Sequence, residues 1–393
     1  MSSGEFSLNV QVLRWAGLAS PDGCPVSRWG NLYISAFTAP FVIMSLLAMA
    51  YFFLSPFSLI NATIYGYILV NLILTIFRIS FFFNNKARLE NLIRIFSENF
   101  GQSDDLDKEN RFMRRTSKYK IMKLTITMLV YNAISVLITA ILPASERVSR
   151  ALECEEVKCS REMSYEIWFP TDSHLKPTYY ILIIWQMISA LIFTAISCSC
   201  DAFCCSLTLA ASERAAFLAQ TAPMALLPGA RGQITPIFKT WVKHHQSYLK
   251  AVGEINKIMG SLIFLTHGFT GISILAYCYF FMSYPQNPIN SVTITTMAGF
   301  LVQIFIYSSC GQGLIDQSEN LANRVLNASQ VARGGLQGSG GARSSLLVVI
   351  TRLSAGAPPE HVEPLGFFTS SMELFVRLIT TSGLYIMILI QLQ

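Results

Sequence analysis

The sequence predicts an all-α membrane protein of seven transmembrane helices, with a cytosolic N-terminus, an extracellular C-terminus and a helical cytosolic anchor region. Three observations lead there. Hydrophobic residues make up 52% of the 393 residues and charged ones only 13%, whereas a soluble domain carries about a quarter charged. The apolar residues fall in long uncharged runs, and the basic residues collect in alternate intervals between those runs. An aromatic share of 12%, with 27 Phe, adds apolar surface that must meet lipid or other helices.

A spanning helix needs roughly 20 apolar residues to cross about 30 Å of hydrocarbon. Seven runs meet that need: Leu32 to Leu54, Leu59 to Phe83, Leu124 to Leu142, Tyr179 to Cys200, Ile258 to Met282, Val292 to Leu314, and about Phe367 to Gln393. They divide the chain into a cytosolic N-terminal segment (1–31) and helices one to four (32–210), with a large external loop at 143–177. A cytosolic linker and helical anchor (211–257), helices five and six (258–314), an anchor segment with a Gly-rich linker (315–366) and a last helix (367–393) follow. The first 31 residues carry Glu5, Arg14, Asp22 and Arg28 and no apolar signal core, so the first span is expected to direct insertion.

Lys and Arg between spans set the orientation. With the N-terminus inside, cytosolic segments hold 22 basic residues and external ones 5, all between Arg147 and Lys176. That orientation is opposite to a G-protein-coupled receptor, and the third span is not followed by Asp-Arg-Tyr. Spread along the loops in this way, the +6 net charge forms no clustered face for nucleic acid.

From Phe238 to Ile255, Phe238, Trp241, Val242, Leu249, Val252 and Ile255 recur at helical spacing, with Lys239, Lys243, Gln246, Lys250 and Glu254 opposite. This helix either lies on the membrane surface or extends the spans into the cytosol and packs there; the second reading is preferred. Two charges adjoin apolar runs. Asp201 is 22 residues beyond Tyr179, roughly 33 Å along a helix, and is expected to emerge into the cytosol and serve the helical anchor, while Arg78 is expected to snorkel to the interface. Gly334 to Gly341 reads as a flexible linker rather than a phosphate loop, with a short helix from Ser344 to Arg352. Cys154 and Cys159 in the external loop allow a disulfide or two free thiols. The five His residues show no metal-ligand spacing and no catalytic motif occurs, so neither an enzyme, a metal nor a cofactor is expected.

Several stretches together resemble the insect odorant receptor family. They are Trp168-Phe169-Pro170 ahead of Tyr179-Tyr180, Asp201 closing the fourth span, His245-Gln246, and Ser318-Glu319-Asn320-Leu321 after Cys310-Gly311. The C-terminal Tyr385, five apolar residues and Gln391 resemble the end of the odorant co-receptor and the signature of the related gustatory receptors. Arg324-Val325-Leu326 departs from the family, where an aromatic is common. The resemblance implies a plasma-membrane, ligand-gated, non-selective cation channel: a tetramer whose last helices line one pore, with a small volatile organic ligand bound inside each subunit. The chain lacks the co-receptor's long insertion between the fourth and fifth spans, which implies a tuning subunit that joins co-receptor subunits in a heterotetramer. A gustatory receptor channel is the alternative, ahead of a G-protein-coupled receptor or transporter.

On that resemblance, Ile388 and Leu392, four residues apart on one face, form an apolar constriction beside Gln391. Such a ring closes a pore by dewetting. Glu373 and Arg377 stand at i and i+4 with the acid first, the favourable order for a helical ion pair. An odorant site needs aromatic and aliphatic walls with one or two polar groups, and the outer halves of the spans offer Tyr65, Tyr131, Ile134, Tyr180, Met187, Tyr277, Thr296 and Phe300.

Overall fold

A computed structural model describes residues 5–16, 18, 28–54, 59–97, 104–153, 168, 176–226, 236–283, 290–334 and 360–392. Among these the elements are α1 (Ser7–Trp15), α2 (Arg28–Leu54), α3 (Leu59–Asn84), α4 (Lys86–Ser97) and α5 (Asp104–Val136), continued by a π turn (Leu137–Ile141) into α6 (Leu142–Glu153). Next come α7 (Lys176–Leu226), α8 (Pro236–Ser283), α9 (Asn290–Gly334), a 3-10 turn (Pro364–Gly366) and α10 (Met372–Leu392). No strand occurs among the described residues. The expected disulfide pair Cys154 and Cys159 and the expected helix at 344–352 lie outside them.

The first six apolar runs fall on α2 to α9 and the last on α10 from Met372 onward; among the described residues, Thr38–Leu54 of α2 is a shorter apolar helix. By length and composition, Lys108–Ser149, Pro177–Ala225, Ile237–Tyr279 and Ile294–Ala328 are each able to cross a membrane, and Ile68–Asn84 with Lys86–Phe96 makes a fifth candidate bent by 68°. Large apolar side chains stay exposed in stripes: Leu69, Ile73 and Ile76 on α3, Met122, Ile126 and Val130 on α5, and Ile181, Ile184, Ile188 and Leu191 on α7. Their three- and four-residue spacing puts each stripe on one helix face, and faces of this kind suit hydrocarbon rather than water.

The longest helix organises the fold. At 51 residues, α7 runs about 77 Å, more than twice the roughly 30 Å of a bilayer core. Beyond Cys200 it is enclosed on nearly every side, with Leu207, Ala211, Ala215, Leu218, Ala219 and Ala222 at 0% exposure. Small side chains let its neighbours approach closely, and Ser212 Oγ donates to the Gly313 carbonyl of α9 at 2.8 Å. No break marks the expected segment limits at 210, 257 or 314, because α7, α8 and α9 pass through them. The enclosed halves of these three helices, with α1 and α4, form an anchor; the opposite end of the bundle is the distal end.

The amphipathic stretch of α8 packs inside the anchor, as its pattern requires. Trp241, Tyr248, Val252 and Ile255 are buried, while Lys239, Lys243, Gln246 and Lys250 face out. Leu249 departs from the expected apolar face and is 38% exposed. Trp241 stacks on His245 with centroids 5.4 Å apart and donates Nε1–H to the Leu218 carbonyl at 3.1 Å. Replacing Trp241 by Phe keeps most of the apolar contact and deletes this donor. The expected loss is about 1–3 kcal/mol, read as a lower melting temperature of the detergent-solubilised protein; an unchanged melting temperature would show that the bond contributes nothing.

Two anchoring devices were not visible in the sequence. The segment 1–31, expected only to be cytosolic, contains α1, and Phe6 just ahead of it packs against Phe96 and Phe203 with ring centroids 5.7 and 6.5 Å away. Nearby, Ser117 donates to Glu5 at 3.3 Å. Burial pushes the Glu5 carboxyl up, while Arg114 and Arg214 pull it back. Arg214, 3% exposed, donates to the Ile95 and Phe96 carbonyls at 3.0 and 3.4 Å and so caps the C-terminal end of α4.

Candidate functional site

The expected ligand residues fall into two groups. At the distal end Tyr65, 3% exposed, packs with Met44, Tyr179, Leu182 and Ile183, and Tyr180 and Met187 lie against the same cluster. Tyr51 and Phe52 approach the Tyr65 ring at 5.9 and 5.6 Å. The second group lies among α8, α9 and α10. There the Tyr277 and Phe300 rings are 6.2 Å apart, and Phe300 packs with Ile274, Cys278 and Ile304 beside Phe375, Leu378 and Tyr385 of α10. Tyr131 reaches α9 from α5: its hydroxyl would stand 3.0 Å from a Cβ at position 299, so Gly299 leaves the phenol its place. Thr296 is half-buried one turn earlier on α9. Ile134 departs from expectation. It is 50% exposed and continues the outward stripe of α5.

Between these groups and the anchor lies a buried ion pair that the two charges were not expected to make. Asp201 is enclosed by the bundle, and Arg78 turns inward to it rather than snorkelling. Their side chains are 7% and 3% exposed and meet at 3.2 Å from Nη2 to Oδ1. Gln303 Nε2 donates to Asp201 Oδ2 at 2.6 Å and the Tyr307 hydroxyl donates to Oδ1 at 2.9 Å. Arg78 also donates to Ser197 and to Thr266 Oγ1 at 3.4 Å. Four helices, α3, α7, α8 and α9, thus meet at one charge pair. Removing two charges from water costs several kcal/mol per ion unless hydrogen bonds satisfy both, and here they largely do. A signal was present in the sequence: opposite charges beside two different apolar runs tend to pair.

Next to this pair, the start of α10 is fastened to α8 and α9. Asn256 of α8 donates to the His361 carbonyl at 2.8 Å and accepts from the Glu363 amide at 3.0 Å. From α9, Ser318 Oγ accepts the Glu360 amide at 2.8 Å, and Gln312 Oε1 accepts the Met372 amide at 3.4 Å. Ser370 Oγ donates to the Tyr307 carbonyl at 3.3 Å. The closest approach is at Gly311, where a Cβ would lie 1.9 Å from the Ser370 carbonyl oxygen. Only glycine permits this docking. Leu365 and Gly366, at φ 54° and 74°, turn the chain into the helix.

Beyond that mount α10 is two-faced. Phe375, Leu378 and Tyr385 pack on the subunit's own α8 and α9, whereas Val376, Ile379, Leu384, Met387 and Ile388 are exposed, Ile388 by 53%. Gln391 is exposed as well. Leu392 ends the helix, one turn beyond Ile388. Arg377 and Glu373 form the expected pair at 2.5 Å, both strongly exposed.

Among the described residues, a helical bundle with apolar outer stripes, a buried charge pair and a terminal helix mounted on two others is the make-up of a multi-pass membrane protein. The chain belongs to the 7tm odorant receptor family, whose model matches residues 58–382; this is a family of receptors, not of enzymes. Its fold is similar to that of the insect olfactory receptor OR5 from Machilis hrabei. The TM-score is 0.75 at 16% identity, over 99% of this chain and 98% of that one. The same receptor in complex with eugenol matches at 0.75 and 15% identity, again over 99% and 98%. No curated protein sequence matches the chain.

Proposed function

We propose that the chain is the odorant-tuning subunit of a ligand-gated, non-selective cation channel of the plasma membrane. In this reading it assembles with odorant co-receptor subunits into a heterotetramer, and α10 of each subunit lines a central pore. The observation that carries the proposal is the division of α10 into a face packed on its own subunit and an exposed apolar face with Ile388 near its end. Shared around an axis, that face supplies a constriction of Ile388 and Leu392 with Gln391 beside it. The 22-to-5 basic asymmetry supports an N-terminus and anchor in the cytosol and a C-terminus outside. The ligand is a small volatile held in the distal half; Tyr131, Tyr277 and Phe300 converge there on α9, and the similarly folded OR5 has been solved with eugenol.

The test is to co-express the chain with the odorant co-receptor, apply an odorant panel and record current with G-protein signalling blocked. Current that needs both chains supports the reading, and its absence across the panel opposes it. On the same panel, replacing Tyr131 by Ala enlarges an apolar site and is expected to shift relative potency between odorants of different length by about 10-fold or more. Met187→Ala, in the other group, tests which group holds ligand. A uniform loss that tracks surface expression would assign both side chains to packing alone.

A further inference from the structure

Along one face of α9 stand Phe300, Gln303, Tyr307 and Gly311, at intervals of three and four residues. Each meets a different part of the molecule. Phe300 lies against Tyr277 in the cluster among α8, α9 and α10, and Gln303 and Tyr307 both donate to Asp201 of α7. The last turn of this face receives the segment that begins α10. Ser370 rests on the backbone at Gly311 and donates to the Tyr307 carbonyl. Phe368, two residues earlier, lies 5.5 Å from the His267 ring, which itself meets the Tyr307 ring edge-on at 5.1 Å.

We propose that Asp201 is a positioning residue for gating: through its hydrogen bonds to Gln303 and Tyr307 it sets α9 against α7, and α9 carries the start of α10 with it. The inference rests on the receptor-channel reading above. A buried carboxylate suits this task, because it holds two donors from α9 at defined angles while Arg78 neutralises it from α3. Toward the anchor, the Ser212 bond to the Gly313 carbonyl also ties α9 to α7; Asp201 is the tie nearer Phe300. The direct anchorage of α9 to Asp201 makes any displacement at Phe300 a displacement of the whole rod relative to a fixed point, and the Gly311–Ser370 seat passes it to α10.

The test removes the α9 donors and leaves the ion pair intact. Tyr307→Phe deletes one oxygen and keeps the ring against His267; Gln303→Leu deletes the amide at similar volume. Both are made together, the chain is co-expressed with the odorant co-receptor, and maximal odorant-evoked current is divided by surface-labelled receptor. The expected result is a fall of about fivefold or more in current per surface receptor, the usual scale of coupling between sites, with the rank order of odorant potency unchanged. Current per surface receptor equal to that of the unmodified chain, even with less receptor at the surface, would overturn the proposal and leave the bonds a packing role. Should the double variant not reach the surface, Tyr307→Phe alone is read by the same ratio. An unmodified chain without odorant-evoked current would instead remove the channel reading itself, so the two failures are told apart.

Discussion

Replacing Ile388 by Ser is expected to raise the current that flows without odorant. On the proposed reading, closure depends on apolar side chains meeting where water is excluded, and a small hydroxyl keeps the constriction wet. A buried Ile side chain contributes about 1.5–3 kcal/mol, so losing it weakens closure and raises basal current by about tenfold or more. Leu378→Ser makes the contrast. Leu378 packs within the subunit against α8 and α9, so its loss is expected to cost stability, about 2–5 kcal/mol, and to lower surface expression rather than open the pore. On the same reading the co-receptor helices share in closing the pore, so the recording includes a matched substitution in the co-receptor. Basal current for Ile388→Ser no higher than that of the unmodified chain, at equal surface expression, would place the pore on another face of α10.

Asp201→Leu is expected to be the most damaging single change to stability. Arg78 would keep its charge within a bundle that leaves only 3% of its side chain exposed. Breaking one side of a buried pair costs about 3–5 kcal/mol, whereas replacing both members by apolar residues is often close to neutral. Arg78→Met combined with Asp201→Leu should therefore recover much of the loss. Recovery will be incomplete, because Gln303 and Tyr307 still lose their acceptor, at about 1–3 kcal/mol for each buried group left unsatisfied. Surface expression and the melting temperature of the detergent-solubilised protein measure both variants. A double variant as unstable as the single one would mean that burial of the Arg78 charge is not what makes the pair matter.

Legibility in the sequence followed the range of the interaction. The seven apolar runs and the packed face of α8 were readable because lipid and core each select residues by local periodicity, which a chain displays without reference to its neighbours. Leu249 obeyed that periodicity and still ended 38% exposed, because which side of a helix is covered depends on what packs there. The same limit explains Ile134: its place on an outer half was legible, but its direction depended on the neighbours of α5. For Asp201 the local argument was misleading. Distance along a helix said nothing of what surrounds the residue: α7 continues through the anchor, and the acid found Arg78 on α3 and Gln303 and Tyr307 on α9.

What the sequence determined by itself was the class of protein: a chain with long apolar runs and few charges has its helices set by the solvent it must enter. Tertiary structure decided the rest. It brought together residues 123 positions apart at the Arg78–Asp201 pair, pressed Ser370 against Gly311 where no side chain fits, and left one face of α10 uncovered. Those outcomes follow from how several helices fill shared space, and charge pairing and close packing act between side chains whose proximity no local pattern records.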